Sequence, residues 1–185
     1  NITDYRLTYQ VADDNGFRTI GRFGSNDNID IELVNRAVSV KIEALNKNGD
    51  AVSSSVSVNG EIPDGVKVYA KEKLVMFTSE SSADRTVNLT VSGNGSGNAI
   101  SASVLLPANT IDLTAPTGTV NYRADGNTVK AYLVTKDSDL AENGVYVTGT
   151  KTDGKAFELK SDENGYYTEL DLNGVGKFVL TDRAG

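Results

Sequence analysis

Apolar and polar residues alternate with a period of two along most of this chain, and almost nowhere with the 3.6-residue period of a helix. DYRLTYQV (4–11) sets Tyr5, Leu7, Tyr9 and Val11 on one face, opposite Asp4, Arg6, Thr8 and Gln10. AVSVKIEAL repeats the pattern with Val38, Val40 and Ile42. RTVNLTV and AISASVLL place Val87, Leu89 and Val91 opposite Ile100, Ala102, Val104 and Leu106, with the flexible SGNGSGN between them. Seven Asn-Gly pairs, starting at Asn15, Asn48, Asn59, Asn94, Asn143, Asn164 and Asn173, punctuate these runs. Asn-Gly favours the left-handed backbone of tight hairpin turns. The pattern predicts an all-β protein.

From residue 28 the alternation predicts strands over 28–34, 37–45, 51–58, 66–70, 73–78, 85–92 and 98–106. Seven short strands in roughly 80 residues is the rhythm of an immunoglobulin-like sandwich. LPANTIDLTAPTG (106–118) reads as a linker, since its two prolines cannot donate to a ladder. A second set follows over 117–123, 127–135, 144–150, 155–160, 165–171 and 176–181, six strands with the last sandwich position empty. Residues 1–25 form a hairpin that the first sandwich does not need to reach seven strands. The expected division is therefore a hairpin at 1–25, a sandwich at 26–110 and a second sandwich at 111–185 lacking its final strand.

Composition narrows the chemistry. The 185 residues include no His, Cys or Trp, and the net charge is −7. Without His and Cys the chain has no imidazole base, no thiolate nucleophile, no zinc-thiolate site and no disulfide. A Ser–His–Asp or Cys–His arrangement is excluded within it. The acidic balance, with no basic stripe, disfavours nucleic acid and anionic membranes as partners. No apolar run reaches the roughly 20 residues of a membrane-spanning helix, so membrane insertion is not expected. Catalysis by a carboxylate pair would need two acids across a cleft, and no apolar pocket pattern surrounds any Asp here.

Two acidic loops have the residue types for calcium, which takes six to eight oxygen ligands. SNDNIDIE (25–32) groups Asn26, Asp27, Asn28 and Asp30, and KDSDLAEN (136–143) offers Asp137, Asp139 and Glu142. Neither has EF-hand spacing, and Asp and Asn also serve as turn residues that bond their own backbone. Tyrosine is the other candidate ligand group. Tyr166 and Tyr167 are adjacent, so one of the two must point outward, where an exposed ring could stack on a sugar. Tyr5 and Tyr9 share a face as well.

DLTAPTGTV, followed some way on by KFVLTDRAG, resembles the bacterial immunoglobulin-like (Big-type) repeats of cell-surface, S-layer and adhesin proteins. Asp112, Thr114 and Pro116 match the opening of such a repeat, and Asp182, Ala184 and Gly185 match its turn between the last two strands. The resemblance covers 112–185, while EIPDGVKVYAKEKLVMF (61–77) is only loosely similar to related surface repeats. It implies a non-catalytic spacer, lattice or adhesion role at the bacterial surface or outside the cell. The implied partners are neighbouring repeats of the same polypeptide, a self-assembly partner, or a surface glycan or host protein. It also implies junctions stiffened by calcium, for which Asp27, Asp30, Asp112 and Asp182 are the candidates. The hairpin at 1–25 then reads as the end of a preceding repeat. The final strand is expected either from a longer tandem array or by donation from another subunit. A carbohydrate- or protein-binding module of a secreted protein, or an immunoglobulin-like appendage of a phage particle, would share this pattern.

Overall fold

The computed structural model describes residues 1–24, 27–95 and 97–185. No helix long and apolar enough to cross a membrane occurs among them. The chain divides into two compact units, Asn1–Leu113 and Thr114–Gly185.

The first unit contains β1 (Asp4–Val11), β2 (Arg18–Phe23), β3 (Asp27–Asn28), β4 (Val38–Leu45), β5 (Ser54–Asn59), β6 (Val66–Tyr69), β7 (Leu74–Phe77), β8 (Arg85–Gly93) and β9 (Ala99–Leu106). One sheet has the order β2-β1-β4-β7-β6 and the other β3-β9-β8-β5. Strands β4, β7 and β6 opposite β5, β8 and β9 form the immunoglobulin-like arrangement, with the short β3 running parallel to β9 along its edge. Alternation decides which side chains go inside. Tyr5, Leu7, Val38, Val40, Val75 and Phe77 from one sheet meet Val87, Leu89, Val91, Val104 and Leu106 from the other, all fully buried in one shared core. Each such side chain contributes about 1.5–3 kcal/mol of transfer free energy.

The hairpin expected at 1–25 as a piece apart from this sandwich is, over the described residues 1–24, built into it. Strand β1 pairs with β4 along its whole length, from Asp4↔Leu45 to Val11↔Val38, while β2 lies on its other side. Tyr5 and Leu7 are members of the sandwich's buried core. The expected linker also belongs largely to this unit. Ile111 is in the core, Val34 bridges to it, and the Asp112 N–H donates to the Val34 carbonyl at 2.7 Å.

The second unit contains β10 (Thr119–Asp125), β11 (Thr128–Val134), β12 (Leu140–Thr150), β13 (Lys160–Asp162), β14 (Gly165–Glu169) and β15 (Val175–Asp182). The sheets are β10-β11-β14-β13 and β12-β15. This is the same immunoglobulin-like order with the position beyond β15 unfilled among the described residues. Phe157, buried between the sheets, lies against Gly174 and Gly176, where a Cβ would meet its ring. Asn143-Gly144, expected to mark a hairpin, instead lies within β12. There the register against β15 shifts between Leu140 and Val145, and Asn143 takes the left-handed conformation (φ 58°). The pair makes a bulge, so β12 begins four residues before the predicted strand.

Candidate functional site

Asp137 sits in the loop between β11 and β12. Its Oδ2 accepts the Thr117 N–H at 2.6 Å, its own N–H donates to the Thr135 hydroxyl at 3.2 Å, and that hydroxyl donates to the Thr117 carbonyl at 2.6 Å. The carboxylate thus fastens the segment entering β10 to the segment leaving β11. Asp182 is buried at the end of β15, where its Oδ1 accepts the N–H groups of Ala184 (3.0 Å) and Gly185 (2.9 Å). Leu140 pairs with Asp182, and the Arg183 N–H donates to the Asp139 carbonyl at 2.8 Å. These bonds bring the Asp139 and Asp182 carboxylates within 4.8 Å of each other. Asp137 is turned toward Thr117 instead.

In the first unit Asp30 is exposed beside Tyr9, Arg18 and Glu32. Asp112 follows the buried Ile111 and is half-buried. Asp27 pairs with Val104 through its backbone. Its side chain, and Asn26, lie outside the described residues. Within the second unit, Asp139 and Asp182 offer two carboxylates toward the six to eight oxygens calcium takes, and one Asp182 oxygen also accepts two backbone N–H groups.

The adjacent tyrosines separate as alternation requires. Tyr166 is 47% exposed. Tyr167 is half-buried on the opposite face of its sheet, 5.2 Å from the Tyr132 ring, with Lys130 Nζ 4.7 Å from its own ring centre. Around them lies a network that the sequence reading did not single out. The Tyr132 hydroxyl donates to Asp162 Oδ2 at 2.6 Å, and the Arg123 guanidinium lies 5.3 Å from the Tyr132 ring centre. Lys130 Nζ stands 3.1 Å from Asp125 and 4.0 Å from Asp162.

The Tyr132 bond holds the Asp162 carboxyl below its ordinary range, and that same bond, with burial, pushes the Tyr132 phenol up. The bond to Asp125 raises Lys130. The signal for this face was present in the period-two placement of Lys130 and Tyr132. Their partners became visible only with the register Tyr132↔Tyr167 and Lys130↔Glu169. The result is a cross-strand array in which Tyr167 is already engaged by a lysine and a second ring.

On the inner side, the two sheets of this unit leave an open slot of about 270 Å³ lined by Val120, Tyr122, Leu170, Val175 and Phe178 among others. Tyr122 is 67% exposed and Val175 79%, although both line the space between sheets. In the first unit the corresponding core residues are sealed.

No family model matches the chain, and no curated protein matches it. Among solved structures it is similar to a chimeric titin Z1Z2 functionalized with a KLER exogenous peptide from decorin. That match has 12% identity and a TM-score of 0.29, and covers 100% of this chain and 93% of the other. The strand order of its own sheets makes the chain an all-β protein of tandem immunoglobulin-like sandwiches.

Proposed function

We propose that this chain is a non-catalytic structural segment of a bacterial surface protein, a spacer or adhesion module in which immunoglobulin-like units follow one another. The observation that carries this reading is the way the first unit holds its two ends. The Ile2 N–H donates to Asn98 Oδ1 at 3.0 Å, and Asn98 Nδ2 donates back to the Ile2 carbonyl at 2.8 Å, just before β9 begins. The chain leaves the unit beyond the other end of β9, where Val34 bonds to Thr110 and Asp112. Eight residues at roughly 3.3 Å each separate these ends. Strand β1 runs between them, paired with β4 along its length.

Tension applied through the two ends therefore loads the β1–β4 ladder lengthwise. Its hydrogen bonds must then yield together rather than one after another. The resemblance of 112–185 to surface repeats supports an extracellular setting for such a segment. The acids of the second unit that would suggest chemistry serve instead as caps for backbone N–H groups at Asp137 and Asp182.

Pulling the full chain by its ends in a single-molecule force experiment tests the reading. Two separate unfolding events are expected, with the first unit requiring a force typical of lengthwise strand separation. Yielding of that unit at the low force of one-by-one unzipping would sink the proposal.

A further inference from the structure

We infer that Asn15 is a site of spontaneous covalent modification, at which the Gly16 nitrogen closes on the Asn15 side-chain amide and leaves an aspartyl or isoaspartyl residue. The chemistry belongs to the Asn-Gly pair, of which the chain has seven. The glycine nitrogen gives its proton to hydroxide and attacks Cγ of the asparagine. The bond from Cγ to the side-chain nitrogen breaks, ammonia leaves, and a five-membered succinimide remains. Water then adds to one of the two ring carbonyls and opens the ring. One opening gives aspartate, the other isoaspartate, in which the main chain runs through Cγ. Glycine favours the closure because it brings no Cβ into the path and leaves the backbone free to turn.

Ring closure needs two freedoms. The side-chain amide must swing onto the following nitrogen, and that N–H must not be held by an acceptor. The fold withdraws one of these at six of the seven pairs. Asn59 Nδ2 donates to Thr90 Oγ1 at 2.7 Å, and Asn94 Nδ2 to Ser53 Oγ at 2.8 Å. The Gly49 N–H donates to the Asn46 carbonyl at 2.9 Å, and the Gly174 N–H to the Asp171 carbonyl at 3.4 Å. Gly165 lies in the β13–β14 ladder opposite Asp162. Gly144 is buried in the β12 bulge, where a Cβ would fall 2.3 Å from the Thr181 carbonyl oxygen, so its backbone has no room to turn.

Asn15 keeps both freedoms. It lies between β1 and β2, outside either strand, and both Asn15 and Gly16 are exposed. Among the described residues, the pair's hydrogen bond runs from the Asn15 N–H to Asp14 Oδ1 at 3.3 Å, which leaves the side-chain amide and the Gly16 N–H unheld. A Cβ at Gly16 would meet nothing within 4 Å, so the turn has space for the ring. The product sets a third carboxylate beside Asp13 and Asp14, close to the Arg18 that Asp14 pairs with at 3.2 Å. Pairing of β1 with β4 ends at Val11, so the modification adds charge to the turn without breaking that ladder.

The test incubates the full chain in mildly alkaline buffer, folded and in urea, and follows each Asn-Gly peptide by mass spectrometry. In urea the seven pairs should convert at similar rates. In the folded chain Asn15 should convert at least about fivefold faster than any other pair, the factor by which one hydrogen bond of ordinary net strength lowers the open population. Asn15→Gln should remove the fast phase. Thr90→Val, which releases the Asn59 amide, should speed conversion at Asn59 by about fivefold and leave Asn15 unchanged. The proposal is overturned if another pair matches Asn15 in the folded chain, or if folding slows Asn15 as much as the rest. An Asn59 that stays slow in the Thr90→Val chain overturns the account of what protects the held pairs.

Discussion

The phenol of Tyr5 reaches across the first sandwich to the backbone of Ser103, accepting its N–H at 3.3 Å and donating to its carbonyl at 3.4 Å. The ring is fully buried and tilted against Phe23 at 6.2 Å. One residue from the N-terminal hairpin thereby ties the two sheets together. Tyr5→Phe keeps the packing and loses the bond, and should cost about 1 kcal/mol. Tyr5→Ala should cost about 3–5 kcal/mol. Urea denaturation of the first unit reads both, and a Tyr5→Phe variant as stable as the parent would mean that the hydroxyl contributes nothing.

Leu7, fully buried two residues along β1, gives an independent check on whether this hairpin belongs to the core. Leu7→Ala should cost about 2–5 kcal/mol. It should also lower the force at which the first unit yields. A chain that tolerated the change would behave as though residues 1–25 were an appendage.

The Tyr132–Asp162 bond predicts a pH dependence with two sides. The Asp162 carboxyl is lowered in the folded state, so its contribution is present above the unfolded value of about 3.9. It is lost as pH falls through the lower folded value. The Tyr132 phenol is raised, so its contribution is intact below about pH 10 and is lost as pH rises through the higher folded value. Tyr132→Phe should move the Asp162 titration midpoint up toward the ordinary carboxyl range. NMR titration of that carboxyl measures it, and an unmoved midpoint would mean the phenol does not hold it.

Gly149, within β12, has φ of 117°, and a Cβ there would fall 1.9 Å from the Val175 carbonyl oxygen. Gly149→Ala should destabilise the second unit by at least about 1–3 kcal/mol through backbone strain alone. Thermal unfolding of the full chain reports it as an earlier transition of that unit. A neutral effect would show that β12 and β15 do not approach so closely there.

Asp137 is expected to act through its acceptor oxygens. Asp137→Asn retains an acceptor for the Thr117 N–H and should leave stability nearly unchanged, while Asp137→Ala should cost about 1–2 kcal/mol. Thermal unfolding distinguishes these. Equal losses in both variants would show that the negative charge itself matters.

Much of this architecture is legible in the alternation of residues, because a period of two states which side chains face the core. Val38, Val40 and Ile42, and Val87, Leu89 and Val91, lie where the pattern puts them. Alternation does not say which strand lies beside which. That β1 pairs with β4 follows from tertiary competition for a sheet edge, not from any residue in DYRLTYQV. The predicted strand at 28–34 shortens to β3 with a bridge at Val34, because its pairing with β9 is parallel and brief. Asn143-Gly144 carries the same turn chemistry as Asn164-Gly165. Only the second joins two strands, since a left-handed residue serves a bulge as well as a hairpin. The Tyr132–Tyr167 face escaped notice for a related reason: its members are separated along the chain and meet only across the β11–β14 register.

The bonds from Ile2 to Asn98 and from Tyr5 to Ser103 span 96 and 98 positions of the chain. A ribosome adding about 5–20 residues per second needs roughly 5–20 s to make the second partner after the first. During that interval Tyr5 and Leu7 have β4 available as a neighbour, while the opposite layer grows through β5 and β8 and still lacks β9. Closure of the first unit must await the arrival of β9, so its folding is expected to be slow and to draw on chaperones that shield unpaired strands.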